Sequence, residues 1–413
     1  MAQLNITLNQ EEILELLQDS RPDAFKNLLQ ESLNGVLKAE SAEQLRAEPY
    51  ERTEERTDSR NGTRDRPLVT RLGRIELKVP RHRNVPFKTL VFDNYKRSEA
   101  ALVTTMAEMV IGGVSTAKVG RVMEEICGTT FSKQAVSEAC KELDSAVEAF
   151  RLRRLEGEYS FVMADATYIK VRENHRVIAK ALLIAMGLTS EGMKEIIGLS
   201  LEDAETYESW KGFLKSLQKR GLKGMSMLTS DAHEGLLAAF HEVYPDVPWQ
   251  RCQAHFTRNI VDGAPKFLRA GLRSELKEMF NCEKLEQART RRDEIIADYA
   301  AKAPKAMERL DAGFEEAMTV MLLPKDMRKC TRTSNYLERL NKEIKRRSNV
   351  IGIFPNAGSA VRLLGAFLME ENDRWASMKK IYYISATLEL KKKAQVLIDL
   401  AASSASWLKS PRQ

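Results

Sequence analysis

The sequence contains no Cys-x-x-Cys pair, and its five cysteines (Cys127, Cys140, Cys252, Cys282 and Cys330) are an odd number at irregular spacing. That excludes the paired framework expected of a small disulfide-stapled exported domain, and the thiols read as reduced, cytoplasmic ones. No stretch approaches the ~20 apolar residues that a membrane-spanning helix requires. The first residues, Met1-Ala-Gln-Leu-Asn-Ile-Thr7, lack the basic segment and apolar run of a secretion signal. The expectation is a soluble intracellular chain with no membrane partner. Cys252 and His255 stand at C-x-x-H spacing without a second C-x-x-C or an H-x-x-x-H to complete four ligands, so a structural or polyanion-contacting role is preferred to zinc.

What is present is enough for two or three domains with cores: 413 residues, 43% hydrophobic and 30% charged, so disorder is not expected. Lys and Arg outnumber Asp and Glu by 65 to 58. The surplus is local, because Arg60 to Arg97 holds eleven basic and three acidic residues. Such a region suits a polyanion, whose condensed counterions are released when basic groups neutralise its phosphates. A solvated basic surface is the plainer alternative.

Along the chain, residues 10–47 carry apolar positions spaced by three and four (Ile13, Leu16, Leu17, Phe25, Leu28, Leu29, Leu33, Val36, Leu37), which predicts a helical element. The polar run Glu51 to Pro67 reads as a linker or as a loop that orders on DNA, with turn signals at Asn61-Gly62 and at Asp65 to Pro67. Leu72 to Pro80 alternates, placing Ile75, Leu77 and Val79 on one face of a strand and Arg74, Glu76 and Lys78 on the other. Two helices follow: Ser115 can cap Thr116 to Ile126, which Gly128 ends, and Ser132 can cap Lys133 to Leu143. Their spacing suits a helix-turn-helix, with Lys133, Gln134, Ser137 and Glu138 at the start of the second helix where base edges would be met. A structural helical hairpin fits the spacing equally well.

Residues 158–233 read as strand (Tyr159 to Val171), strand (His175 to Leu188), strand (Glu195 to Leu201), amphipathic helix (Thr206 to Arg220) and strand (Met225 to Thr229). That order is the order of a ribonuclease H-like core. Trp249 to Asn259 reads as a fifth strand running into a helix, and the chain is then almost wholly helical to about residue 330. The expected organisation is an N-terminal helical module (1–48), a basic linker and strand region (49–97) and a helix-turn-helix-like module (98–150). An α/β core follows in two parts (151–262 and 331–413), interrupted by an all-α insertion (263–330).

Three acids carry the chemistry. Asp165 lies inside Phe161-Val-Met-Ala-Asp-Ala-Thr-Tyr-Ile-Lys-Val171, Asp231 closes Ser226-Met-Leu-Thr-Ser-Asp231, and Glu338 lies in Arg332-Thr-Ser-Asn-Tyr-Leu-Glu-Arg-Leu-Asn341. A carboxylate within or just past a buried strand is costly unless something compensates its charge. Two Mg²⁺ ions about 4 Å apart, gripping the attacking and leaving oxygens of a phosphodiester displacement, would do so. Mn²⁺ can substitute, and both ions prefer hard oxygen ligands. Asp165 is expected to bridge the pair, with Asp231 on one ion and Glu338 on the other. The plainer readings are a strand-edge turn for Asp165, a helix cap for Asp231 and a capping box from Asn335 to Glu338. Against the last, Glu338 shares a helical face with Lys342, Lys345 and Arg346, which suits a ligand presented beside a phosphate backbone. Glu343 is the rival third acid.

These residues resemble the bacterial insertion-sequence transposases of the Mutator superfamily. The motifs that carry the resemblance are Tyr50 to Gly62, Val79-Pro-Arg81, Gly113-Val-Ser-Thr116, the Asp165 strand, Ser230-Asp231, Trp249-Gln-Arg-Cys-x-x-His-x-x-Arg-Asn259, Thr333-Ser-Asn-Tyr-Leu-Glu338 and Phe354-Pro-Asn356. The resemblance implies that Asp165, Asp231 and Glu338 form a metal-binding DDE triad, that the helical stretch is an insertion domain, and that the N-terminal part recognises terminal inverted repeats. It marks Cys252 and His255 as a family signature of uncertain role. Ser334 stands where many relatives have threonine, a change expected to leave capping intact. It further implies Mg²⁺-dependent cleavage and strand transfer on double-stranded DNA by a nucleoid-associated homodimer. The residues expected on DNA are Arg60, Arg64, Arg66, Arg71, Arg81, Arg83, Lys133, Gln134, Arg251, His255, Arg258, Lys342, Lys345, Arg346 and Arg347. A non-catalytic DNA-binding regulator and a structure-selective nuclease or resolvase with the same core are the alternatives.

Overall fold

The computed structural model describes residues 22–70, 72–89, 91–92, 100–127, 130–378 and 380–382. The chain divides into two compact units, residues 1–142 and 143–413. Arg71, Gly128 and the apolar positions Ile13, Leu16 and Leu17 of the first expected helix lie outside the described residues.

In the first unit, helix α1 (Pro22–Leu45) precedes a two-stranded antiparallel ribbon, β1 (Arg60–Thr70) with β2 (Gly73–His82). The alternation of β2 acts as expected: Ile75, Leu77 and Val79 are buried against Leu37 and Phe92, while Arg74, Glu76 and Lys78 face outward. Each buried aliphatic side chain contributes about 1.5–3 kcal/mol, which is why a two-residue period fixes which face is covered. Residues 60–67 are not the loop expected from their polarity. They form most of β1, and Gly62 takes a positive φ of 73° where the register slips between Arg60 and Thr63. Pairing with β2 satisfies their backbone whatever the side chains are. Helices α2 (Ala100–Ile111), α3 (Thr116–Cys127) and α4 (Lys133–Ala139) bury Leu102, Met106, Val119, Met123 and Val136 together. Ser132 caps α4 by accepting from the Ala135 N–H at 3.1 Å.

In the second unit, α5 (Leu143–Leu152) leads to a five-stranded mixed sheet: β3 (Tyr159–Glu173), β4 (Arg176–Thr189), β5 (Lys194–Glu202), β6 (Met227–Ser230) and β7 (Trp249–Arg251), in the order β5-β4-β3-β6-β7. β3, β4 and β5 are antiparallel neighbours, whereas β6 runs parallel to β3 and β7 parallel to β6. Between β5 and β6, Thr206 caps α6 (Tyr207–Lys219) through a capping box with Ser209. Trp210, Phe213, Leu214 and Leu217 of α6 join Leu236, Ala239 and Phe240 of α7 (Glu234–Val243) over one sheet face. Adjacent β5 residues show the two faces: a side chain at Gly198 would strike Phe213 and Leu217 of α6, and Leu199 lies against Gly365 of α14 (Ala357–Met378).

After β7, α8 (Gln253–Asp262), α9 (Arg269–Phe280), α10 (Leu285–Tyr299) and α11 (Pro304–Met318) build their own apolar core around Phe256, Leu276, Ile295, Leu310 and Phe314. The chain then passes through α12 (Lys325–Thr331) into α13 (Asn335–Ile351). Phe354 closes the return by bridging to Val171 at the far end of β3. Among the described residues, no helix is long and apolar enough to cross a membrane.

Candidate active site

The parallel strands set the site. The β3–β6 register pairs Phe161 with Met227, Val162 with Leu228 and Met163 with Thr229. Continued two residues past that last pair, the same register would bring Asp165 level with Asp231, one residue beyond β6, and the two are close enough for Asp231 to raise the Asp165 pKa. The β6–β7 register pairs Ser230 with Arg251, so the next step sets Asp231 beside Cys252. The Cys252 N–H donates to Ser230 O at 2.7 Å, holding that step in place. Asp165, inside β3, thus lies in a row with Asp231 and Cys252, which stand just past the carboxyl ends of its shorter parallel neighbours β6 and β7, the edge at which open α/β sheets place their ligands.

Asp165 is only 8% exposed. Its Oδ1 accepts from the Ala166 N–H at 2.9 Å and its Oδ2 from Asn341 Nδ2 at 2.8 Å. Burial raises its pKa to about 6; nearby Asp231 and Glu205 push the same way, and His255 and the Ala166 N–H only partly offset them. Glu205, in the loop before α6, is raised as well, by burial and then by Asp231, against His233 and the Trp210 indole. Its Oε1 accepts from Trp210 Nε1 at 3.2 Å and lies 3.5 Å from His233 Nδ1.

Glu338 reaches the same place from α13. Its Oε1 lies 3.3 Å from His255 Nε2 and 3.4 Å from Arg258 Nη2. His255 is drawn up to about 9, first by the neighbouring Cys252 sulfur and, against burial, by the charges of Asp165 and Glu338. Burial alone would push the Cys252 thiol up, but His255 and Ser334 outweigh it and the net direction is down. His255 is thus close to both Asp165 and Glu338, whose charges favour its protonated form. Asn341, one turn beyond Glu338, ties α13 to Asp165 directly.

The plainer capping-box reading of Glu338 does not hold. Asn335 is the first helical residue, and Ser334 is the N-cap without a side-chain capping bond. The Ser334 hydroxyl donates instead to Cys252 Sγ at 3.2 Å, and its N–H reaches the same sulfur at 3.3 Å. Glu343, the rival third acid, pairs with Arg346 and Arg347. Glu205 and Asn341 were not singled out from the sequence. Asn341 carried a signal, its spacing of three from Glu338; Glu205 carried none, because only the loop's path brings it to Asp231.

The donor set suits a hard divalent cation. Among the described residues no three His, Cys, Asp or Glu side chains converge tightly enough to cage an ion alone. Asp231 is instead close enough to Asp165 and to Glu205 to push both of their pKa values up, and Asn341 Oδ1 is buried at the site without a hydrogen-bond partner.

The residues expected on DNA are scattered in character. In the first unit Arg64, Arg81, Arg83, Lys133 and Gln134 are exposed. Arg60 is spent on the Ala47 and Glu48 carbonyls at 2.7 and 3.1 Å, and the Arg66 guanidinium lies 3.9 Å from the Phe92 ring centroid. In the second unit Arg258, Lys342, Lys345 and Arg346 are exposed, while Arg251 pairs with Glu316 at 3.1 Å over the Phe256 ring. Arg347 corrects the expectation: it is buried, stacked 3.9 Å from the Phe367 centroid and bonded to Glu343. It packs the core because it falls on the apolar side of α13, one position past the exposed stripe.

Comparison with known proteins is consistent along the whole chain. The family model described as transposase, Mutator family, matches residues 1–378. The chain is 40% identical over 386 residues to the transposase for insertion sequence element IS256 in transposon Tn4001 of Staphylococcus aureus, covering 92% of this chain and 99% of that protein. It is 38% identical over 375 residues to the transposase for ISRM5 of Rhizobium meliloti (91% and 94% covered). With the transposase for IS1081 of Mycobacterium tuberculosis it shares 36% identity over 365 residues (88% of each).

Proposed function

This chain belongs to the Mutator family of transposases, and from that premise we propose that it binds the terminal inverted repeats of an insertion sequence, cleaves DNA at the element ends and joins them to target DNA. The observation that carries the reading is the closeness of Asp165, inside β3, to Asp231 just past the end of the parallel strand β6, with Glu338 brought in by α13 across His255. The sheet order β5-β4-β3-β6-β7 supports a ribonuclease H-like core, since a central first strand and its parallel neighbour then deliver the two aspartates.

Asp165, Asp231 and Glu338 would hold two Mg²⁺ ions, for which Mn²⁺ can substitute. When bound, these ions neutralise the charge developing on the phosphate and lower the pKa of the attacking hydroxyl. Asn341 orients Asp165 through Oδ2. His255 and Arg258 hold Glu338, and their positive charge, with the exposed Lys342, Lys345 and Arg346 along α13, favours approach of a phosphate backbone. The exposed arginines of the β1–β2 ribbon and the start of α4 are assigned to the inverted repeats. Because two ends must be processed together, the working form is assigned as a homodimer.

The test is a nicking and strand-transfer assay on DNA carrying the flanking element ends, with Mg²⁺ or EDTA, comparing wild type with Asp165→Asn. End-specific, metal-dependent products that vanish in the variant are expected. Specific binding with no product from wild type would move the assignment to a DNA-binding regulator, and cleavage indifferent to the end sequence to a nuclease or resolvase.

A further inference from the structure

The chain comes back from the helical insertion to the sheet through Thr331–Ser334, whose Thr331 and Ser334 are buried. Thr229 Oγ1, two residues before Asp231, donates to Thr331 O at 2.6 Å. The Gln253 N–H donates to Arg332 O at 3.0 Å. The Ser334 N–H and hydroxyl both point to Cys252 Sγ, at 3.3 and 3.2 Å. Thr331, Ser334 and Cys252 are all 0% exposed and Thr229 is 2%. The three anchors come from the ends of β6 and β7 and the start of α8, the same strand ends that place Asp231.

We infer that Cys252 is a positioning residue for Glu338: its sulfur fixes the N-cap of α13 in register with the aspartate row, so that the carboxylate one turn later faces Asp165 and Asp231. Glu338 is four positions after Ser334, and the Glu338 N–H donates to Ser334 O at 3.0 Å, so a shift of the cap is a shift of the ligand. A thiol suits the place physically. A sulfur accepts at longer range than an oxygen, so it can take two donors from one residue without drawing the helix start into β7, and it tolerates complete burial. The helical insertion can then vary its own packing without moving Glu338, because its exit is tied to the sheet.

This inference rests on the reading of Glu338 as a metal ligand, and its test separates the two. Mn²⁺ binding to the full chain, measured by electron paramagnetic resonance, would be compared for wild type, Cys252→Ala, Cys252→Ser and Glu338→Gln, with end-DNA binding in EDTA as the check on folding. Loss of a group that orients a metal ligand weakens metal affinity about 10- to 100-fold. Cys252→Ala should fall in that range with DNA binding unchanged, and Cys252→Ser, which still accepts from Ser334, should regain most of the loss. Wild-type Mn²⁺ affinity in folded Cys252→Ala, beside a weakened Glu338→Gln, overturns the positioning role alone. Wild-type affinity in Glu338→Gln overturns the ligand reading beneath it. Should Cys252→Ala not fold, Ser334→Ala, which removes the hydroxyl donor to the same sulfur, carries the comparison, and unchanged affinity there is equally fatal.

Discussion

Replacing Asp165 by asparagine should make the metal-free protein more stable while destroying its chemistry. A carboxyl that ionises near 3.8 when solvated and near 6 in the fold is held as an anion at neutral pH at a cost of about 3 kcal/mol. Asparagine removes that cost and keeps the shape. Its carbonyl can still accept from the Ala166 N–H, and Asn341, whose Oδ1 has no hydrogen-bond partner, can turn its amide to accept from the new NH₂. The net gain is set at roughly 1–3 kcal/mol, because imperfect repacking takes back part of the gain. For a unit of this size that is a rise in Tm of roughly 2–5 °C. The sign with pH follows from the raised pKa: the cost is absent below 3.8, grows as pH rises and is complete above about 6. At pH 5 about half of the advantage should remain. Thermal scans in EDTA at pH 7.5 and pH 5 test this, and Mg²⁺ should then raise the Tm of wild type only. A variant that melts at or below wild type at pH 7.5, or whose advantage does not shrink at pH 5, refutes the account of Asp165 as an uncompensated buried anion.

In the first unit, Asp58 accepts from the main-chain N–H groups of Val85, Asn84 and Ser59 and from the Asn84 side chain, which holds its pKa down at about 2. Its stabilisation is therefore complete above its ordinary 3.8 and is lost as pH falls through about 2. Asp58→Ala should speed amide exchange at Asn84 and Val85 at pH 7, and equal protection in the two proteins would refute the role of these hydrogen bonds. Arg81→Ala with Arg83→Ala should weaken end-DNA binding and lower its log–log salt slope by about one for each phosphate left without its arginine; an unchanged slope puts the DNA surface elsewhere. A Cβ at Gly120 would lie 2.6 Å from the Phe131 carbonyl oxygen, a backbone atom that cannot swing aside. Gly120→Ala should cost about 1–3 kcal/mol through strain between α3 and the start of α4, read as earlier melting and weaker end binding, and wild-type melting would show that the helices can part freely.

The core was legible element by element because its signals are local. Apolar runs marked β3, β4 and β5, Thr206 marked the start of α6, and the short run Met225 to Thr229 marked β6, which the structure forms over Met227–Ser230. The N-terminal ribbon was only half legible: alternation revealed β2, but the polar residues 60–67 gave no strand signal, since a partner strand and not their own side chains holds them. Arg347 and Arg346 look alike in sequence, and only the packing of α13 sends one under Phe367 and leaves the other outside.

By itself the sequence singled out Asp165, Asp231 and Glu338 and the segments that hold them, because an ionisable group inside an apolar stretch stands out against periodicity. Only the tertiary structure decided their mutual geometry. Strand register sets Asp165 level with Asp231, loop path brings in Glu205, and a sulfur 82 residues away in sequence fixes the start of the helix that bears Glu338. Periodicity reports on neighbours within a turn or a strand, whereas register and long-range anchoring depend on contacts whose sequence separation leaves no local trace.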